Sequence, residues 1–125
     1  MNKLTQYGHP FQTKALAALV TDRDFLQQSA DIVSPEYFDS DASKWIVRKT
    51  LTYFSEYRTT PTMEVFKVET EKIDNSVQAV AVKEQLKETY KSSHVKDLAY
   101  IKDTFLDLCK NQTLKNALIR PVDQL

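Results

Sequence analysis

The sequence contains few of the residues that interrupt helices. It has one glycine and four prolines among 125 residues. All-β folds need frequent turns, so this scarcity favours long helices. A single cysteine allows no internal disulfide and is typical of a reducing cytosol. We therefore expect an all-α chain that folds without disulfides in the cytoplasm.

Neither sign of charge is in excess, and no long apolar run is present. The chain has 17 basic and 17 acidic residues, with seven of each in residues 1–62 and ten of each in residues 63–125. Domains that bind nucleic-acid phosphates usually have an excess of basic residues or a stripe of them on the surface. No segment has the length and hydrophobicity of a signal peptide or transmembrane helix. We expect a soluble chain with no membrane partner and no direct DNA contact.

The residues that usually carry catalysis are sparse. One glycine cannot form the GxxxxGK[ST] loop that cradles phosphates. His9 and His94 have no Cys, Asp or Glu partner at metal-ligand spacing, so we expect them to cap helices or lie exposed. Cys109 is expected to be a small buried hydrophobe rather than a reactive thiol. The sequence thus predicts no catalytic, cofactor-binding or metal-binding residues.

Residues 37–66 hold the only tryptophan, three of the six tyrosines and three of the six phenylalanines. Two apolar rows at helical spacing predict one helix with a wide buried arc. We expect this helix to lie at the centre of a helical bundle. One row is Val47, Leu51 and Phe54, and the other is Ile46, Tyr53 and Tyr57. The residues predicted to form the core are Tyr37, Phe38, Trp45, Val47, Leu51, Phe54 and Phe66.

Polar caps and prolines divide the rest of the chain. Thr21-Asp22, Ser34-Pro35, Thr59-Thr60-Pro61 and Asp74-Asn75-Ser76 predict helix boundaries. A last helix over residues 94–120, stopped by Pro121, would be about 40 Å long. Its apolar stripe is predicted to be a subunit interface, because its distal part has no partner in the chain. The interface residues are Leu98, Ile101, Phe105, Leu108, Leu114 and Leu118.

The predicted architecture is a compact bundle of about five helices followed by one long projecting helix. Residues 1–92 would form a helical head, with residues 1–8 disordered. Residues 93–125 would form the long helix, and we expect the chain to self-associate through it as a dimer or larger assembly.

Several short motifs resemble the N-terminal domain of DnaB-type replicative DNA helicases, in particular the tailed-phage branch. An early helix with small and leucine residues matches residues 11–19, and a Y-x-x-x-P-T break matches residues 57–62. The motifs are Pro35-Glu36-Tyr37-Phe38, Trp45-Ile46-Val47, Glu56-Tyr57-Arg58, Pro61-Thr62 and Val65-Phe66. The resemblance runs from about residue 10 to the end of the chain.

This resemblance implies a non-catalytic collar domain of a hexameric helicase in a bacterial or phage-infected cell. Such domains pair between subunits and contact primase, and a helicase loader is a further expected partner. The last helix would be the first arm of a helical hairpin. We expect the second arm and the motor domain to be missing from this chain, with ATP and magnesium bound only by the motor. DNA would be reached only through the full assembly.

Two other functions remain open. The chain could be a stand-alone phage replication adaptor or helicase loader, or a small helical protein that binds single-stranded DNA. Reading the gene past codon 125 separates the first from a helicase, because only a helicase continues into a GxxxxGK[ST] motif. Salt-dependent binding through the lysines of residues 83–96 would favour the second.

Overall fold

A computed structural model describes the backbone of residues 7–123 and the side chains of residues 7–114. Within that part of the chain every regular element is helical, so the predicted all-α bundle with a long last helix is confirmed. Two short 3₁₀ turns, Pro35–Tyr37 and Ser92–His94, interrupt the α-helices. The α-helices are α1 Gly8–Thr21, α2 Arg23–Ser29, α3 Asp41–Tyr57, α4 Met63–Glu71, α5 Ser76–Lys91 and α6 Leu98–Asp123.

Short polar side chains cap the starts of α2, α3, α4 and α5 and of the Pro35–Tyr37 turn, whereas α1 starts without a side-chain cap. Each accepts a hydrogen bond from a backbone amide that the first helical turn leaves unpaired. Asp22 caps α2 through Phe25 N at 3.1 Å, and Asn75 caps α5 through Gln78 N at 2.9 Å. The other capping residues are Ser34, Ser40 and Thr62.

The bounds of α6 differ from the prediction. Ser92–His94 is a 3₁₀ turn, and α6 begins only at Leu98. Pro121 does not stop the helix, which runs to Asp123. A proline near a helix end removes one backbone hydrogen bond, and few turns remain beyond it to be disrupted. The first eight residues were predicted to be disordered, but Gly8 already belongs to α1, and residues 1–6 lie outside the described part.

The central helix is α1, not α3 as predicted. It contacts α2, α3, α5, α6 and the Ser92–His94 turn. Nine of its residues are buried, and Ala15, Ala17 and Ala18 are fully covered. Small side chains let several neighbouring helices approach α1 closely. The large aromatic residues that led us to predict α3 as the centre instead pack on one face of that helix.

On α3, the first apolar row is covered, whereas the second is fully covered only at Ile46. Val47 and Phe54 are buried and Leu51 is partly buried against the core. Tyr53 is only partly covered, and Tyr57 is 62% exposed. The prediction of a wide buried arc is therefore wrong at the end of α3, where the two tyrosines instead form an exposed surface.

One hydrophobic core joins the head to α6. Its buried residues come from α1, α2, α3, α4 and α5 and also include Ile101, Phe105 and Cys109 of α6. The predicted division between residues 92 and 93 therefore does not separate two cores. The first part of α6 is a structural member of the head.

Candidate functional site

The inner face of α6 lies in the core of its own chain. Phe105 is fully buried, and its ring centroid lies 6.0 Å from that of Phe25 and 5.9 Å from that of Phe38. Ile101 is 5% exposed. The prediction that this stripe lacks a partner is wrong for Ile101 and Phe105, because the same chain covers them. α6 packs against α1 and α2, and Phe38 adds a ring contact to Phe105.

The other residues predicted for the interface lie in three different surroundings. Leu98 and Leu108 are partly buried and pack against the core. Leu114 is 60% exposed. It follows Phe105 by nine residues, which at about 100° per residue places it on the opposite side of the helix. Leu118 lies outside the residues whose side chains the structure describes.

Polar contacts fix α6 along the head. Lys102 Nζ donates to Asp22 Oδ2, and Lys14 Nζ donates to Asp97 Oδ2 at 3.0 Å. Near the end of α2, Thr113 Oγ1 donates to the carbonyl of Ile32 at 3.4 Å. The hydrogen bond from Lys102 lowers the pKa of Asp22, as do its capping bonds to α2. The helix then continues past Thr113 to Asp123, about 15 Å at 1.5 Å per residue.

The outward side of α6 carries large exposed apolar residues among its described side chains. Tyr100 is 68% exposed and Leu114 is 60% exposed. The exposed carboxylates Asp103 and Asp107 lie between them in sequence. The apolar part of this outward face is therefore divided, and Leu114 marks its distal half. We call the exposed side of α6 at Leu114 the distal face of α6.

The residues predicted to form the core all lie at or in it. Phe38, Trp45, Val47, Phe54 and Phe66 are at most 9% exposed. Tyr37 and Leu51 are partly buried and pack against the same cluster. Phe66 lines the groove described next, and Leu51 and Phe54 line a second cleft at the end of α3.

A groove of about 340 Å³ lies between α3 and α4 and was missed by the sequence analysis. Its lining includes Lys49, Tyr53, Glu56, Tyr57, Val65 and Phe66. The rings of Tyr53 and Tyr57 lie 4.6 Å apart at an interplanar angle of 39°. The sequence signal was present in the i, i+4 pair of tyrosines, but apolar spacing alone does not reveal that α4 is too short to cover both rings.

Little in the described part of the chain resembles a catalytic centre. No group of three or more His, Cys, Asp or Glu side chains in residues 7–114 is arranged to hold a metal ion. His9 Nε2 lies 3.1 Å from Glu88 Oε2, and both side chains are 58% exposed. This contact links the start of α1 to the end of α5. Burial raises the pKa of Cys109 to about 12, so its thiol is protonated at neutral pH.

On α5, which the structure describes in full, the exposed lysines do not form an uncompensated basic stripe. Lys83, Lys87 and Lys91 follow each other at four-residue spacing along the exposed side of α5. Glu84 and Glu88 form an acidic row directly beside them. Adjacent rows of opposite charge weaken the field that attracts phosphates. Among the described helices, none combines the length and the hydropathy that a membrane crossing requires.

Comparison with known proteins found no matching family model, no similar curated protein and no similar solved structure.

Proposed function

We propose that this chain is a non-catalytic assembly domain that associates with further copies of itself through the distal face of α6. The observation that carries the proposal is the path of α6. This helix starts in the core of the head, makes its last described contact with the head at Thr113, and continues to Asp123. A helix that carries an exposed leucine just after its last described contact with the head is suited to pack against another helix.

Apolar burial between the protomers drives the association. Each Å² of apolar surface removed from water contributes about 25 cal/mol, from which the entropy cost of association is subtracted. The core of the head is complete without a partner, so the folded head does not depend on assembly. Association is therefore expected to be concentration-dependent and reversible.

The specific assembly proposed is the collar of a DnaB-type replicative helicase. Its support is the set of motifs in residues 35–66, which fall at helix boundaries and core positions of an all-α head followed by a long helix. In this proposal α6 is the first arm of a hairpin, primase and a helicase loader are the partners, and ATP is hydrolysed by a motor domain outside this chain. The domain itself has no enzymatic activity.

Sedimentation velocity tests the assembly. From low to high micromolar protein, we expect the weight-average sedimentation coefficient to rise as dimers or larger species form. A coefficient that stays at the monomer value throughout this range contradicts the proposal. Raising the salt concentration should leave the association intact, because apolar contacts are not screened as ion pairs are.

The gene beyond codon 125 tests the helicase assignment separately. A continuation that encodes a GxxxxGK[ST] motif after a second helical arm supports a helicase collar. A stop codon at that point supports a stand-alone replication adaptor, which remains compatible with self-association. The two experiments therefore fail independently.

A further inference from the structure

Beyond the proposed assembly role, we infer that the groove between α3 and α4 is a docking site for an arginine side chain and its apolar neighbour on a partner protein. The groove belongs to α3 and α4, whereas the proposed assembly uses α6. The two surfaces therefore act separately, and the docking site does not depend on the assembly proposal.

One carboxylate in the groove lining has no ion pair, which favours a positively charged ligand. Glu69 at its edge is already neutralised, since Lys49 Nζ lies 3.2 Å and Lys72 Nζ 2.8 Å from its carboxylate oxygens. These two lysines lower the pKa of Glu69, Lys72 more than Lys49. Glu56 is exposed and forms no ion pair or hydrogen bond with any described residue. Lys49 and Lys72 carry two positive charges beside the one of Glu69, so with Glu56 the local charges balance. Glu56 is the lining carboxylate that has no described cation paired with it.

The aromatic rings beside Glu56 favour arginine over lysine. Tyr57 is 62% exposed, and its ring lies 4.6 Å from that of Tyr53, centroid to centroid. A guanidinium group stacks flat on an aromatic ring and also donates to a carboxylate, and it is more weakly hydrated than an ammonium group. Glu56 and Tyr57 both line the groove, so a guanidinium bound there would meet a carboxylate and an aromatic ring in the same site.

The apolar lining of the groove favours an aliphatic residue beside the arginine of the ligand. Pro61 and Phe66 are buried and Val65 is partly buried, and all three line the groove. A volume of about 340 Å³ is sufficient for a few side chains of a peptide and small for a folded element. The ligand is therefore a short partner segment in which an arginine adjoins an aliphatic residue.

Two neighbouring tyrosine rings could suggest a nucleic-acid site, but the groove is poorly suited to bind nucleic acid. Bases stack on exposed aromatic rings, but a binding site for single strands also needs a basic track for the phosphates. Here the free charge is a carboxylate, and the lysine in the lining is engaged with Glu69.

The test is a ¹H–¹⁵N NMR titration of the chain with the capped tripeptide acetyl-Leu-Arg-Leu-amide. We expect saturable shifts confined to the amides of α3 and α4 that flank the groove. The same peptide with citrulline, which has the shape of arginine without its charge, should bind at least about tenfold more weakly. The lysine peptide should bind more weakly than the arginine peptide.

Two variants locate the binding. Glu56→Gln should weaken the arginine peptide about fivefold, and Tyr57→Ala should weaken it by a similar factor. Both residues are exposed, so both variants should keep the wild-type melting temperature. Glu64→Gln is the matched control, because Glu64 is an exposed carboxylate on α4 outside the groove lining, and it should bind like the wild type.

Four results would overturn the inference. They are equal binding of the citrulline peptide, undiminished binding to Glu56→Gln, groove shifts produced by oligothymidylate instead of the peptide, and groove shifts that appear on raising the protein concentration alone. The last result would mean that a second copy of this chain occupies the groove.

Discussion

Asp22 is the residue through which three helices are joined. It follows α1, caps α2 through Phe25 N, and accepts a hydrogen bond from Lys102 of α6. The Lys102 hydrogen bond lowers its pKa, so the folded chain holds the carboxylate in its charged form more firmly than the unfolded chain does. The stability that the charge contributes is present above the unfolded pKa, about 3.9, and is lost as the pH falls through the lower folded value.

The variant Asp22→Asn separates the charge from the cap, because asparagine caps a helix as well as aspartate does. At neutral pH we expect a loss of about 0.5–1 kcal/mol in the free energy of unfolding. The difference from wild type should shrink as the pH falls below about 4 and through the lower folded pKa of Asp22, where the wild-type carboxyl is protonated. Urea unfolding across this range measures it.

The matched control is Asp24→Asn, which removes a neighbouring exposed carboxylate whose ion pair is with Arg23 on the same helix. It should lose less stability than Asp22→Asn. A pH-independent deficit in Asp22→Asn would show that the Lys102 contact contributes nothing to stability.

Cys109 shows how burial controls reactivity at a single residue. Its side chain is 1% exposed, and burial raises its pKa to about 12. We expect the native protein to resist alkylation by iodoacetamide at pH 8 and to react within minutes in denaturant, where the thiol pKa returns to about 8.5. Since the chain has one cysteine, mass spectrometry reports the modification directly. Rapid alkylation of the native protein would show that α6 detaches from the head.

At the scale of elements, α6 combines two functions along its length. Its first part is a core helix, anchored by Phe105 between Phe25 and Phe38. Its last part, beyond Thr113, is the proposed assembly surface. Charge substitutions in the first part test folding rather than association, so Phe105→Asp is unsuitable as a test of the interface.

The core role of α6 predicts a large effect for Phe105→Ala. Removing a fully buried ring leaves a cavity, and we expect the free energy of unfolding to fall by about 3–5 kcal/mol. Tyr100→Ala on the same helix is the control, since its ring is 68% exposed and its loss should change stability by less than about 0.5 kcal/mol. Denaturant unfolding followed by circular dichroism measures both. Equal effects in the two variants would mean that α6 does not pack on the head as described.

At the scale of the whole molecule, the parts that could be predicted from sequence are those set by local physics. Asp22, Ser40 and Asn75 identify helix starts because a cap depends on the amides of its own first turn. The burial of Phe105 could not be predicted, because it depends on Phe25 and Phe38, which are distant in sequence. Periodicity shows that a face is apolar but does not show whether the same chain covers it.

The same limit explains why the centre of the fold and the groove were missed. Ala17 and Ala18 carry little hydrophobic signal, yet they allow α1 to be packed on several sides. Tyr53 and Tyr57 carry a strong signal, yet Tyr53 is only partly covered and Tyr57 is largely exposed. In both cases the burial of a helix depends on how many other helices pack against it, and that number is a property of the tertiary fold.

The central claim is that the distal face of α6 holds copies of this chain together, and one comparison tests it most directly. Multi-angle light scattering at high micromolar concentration would compare the wild type with Leu114→Asp and Val77→Asp. Val77 is 78% exposed on α5, so its variant adds the same charge at an equally exposed apolar site on another helix. We expect the wild type and Val77→Asp to associate, and Leu114→Asp to be monomeric with an unchanged melting temperature. A monomeric wild type, or association undiminished in Leu114→Asp, would contradict the account.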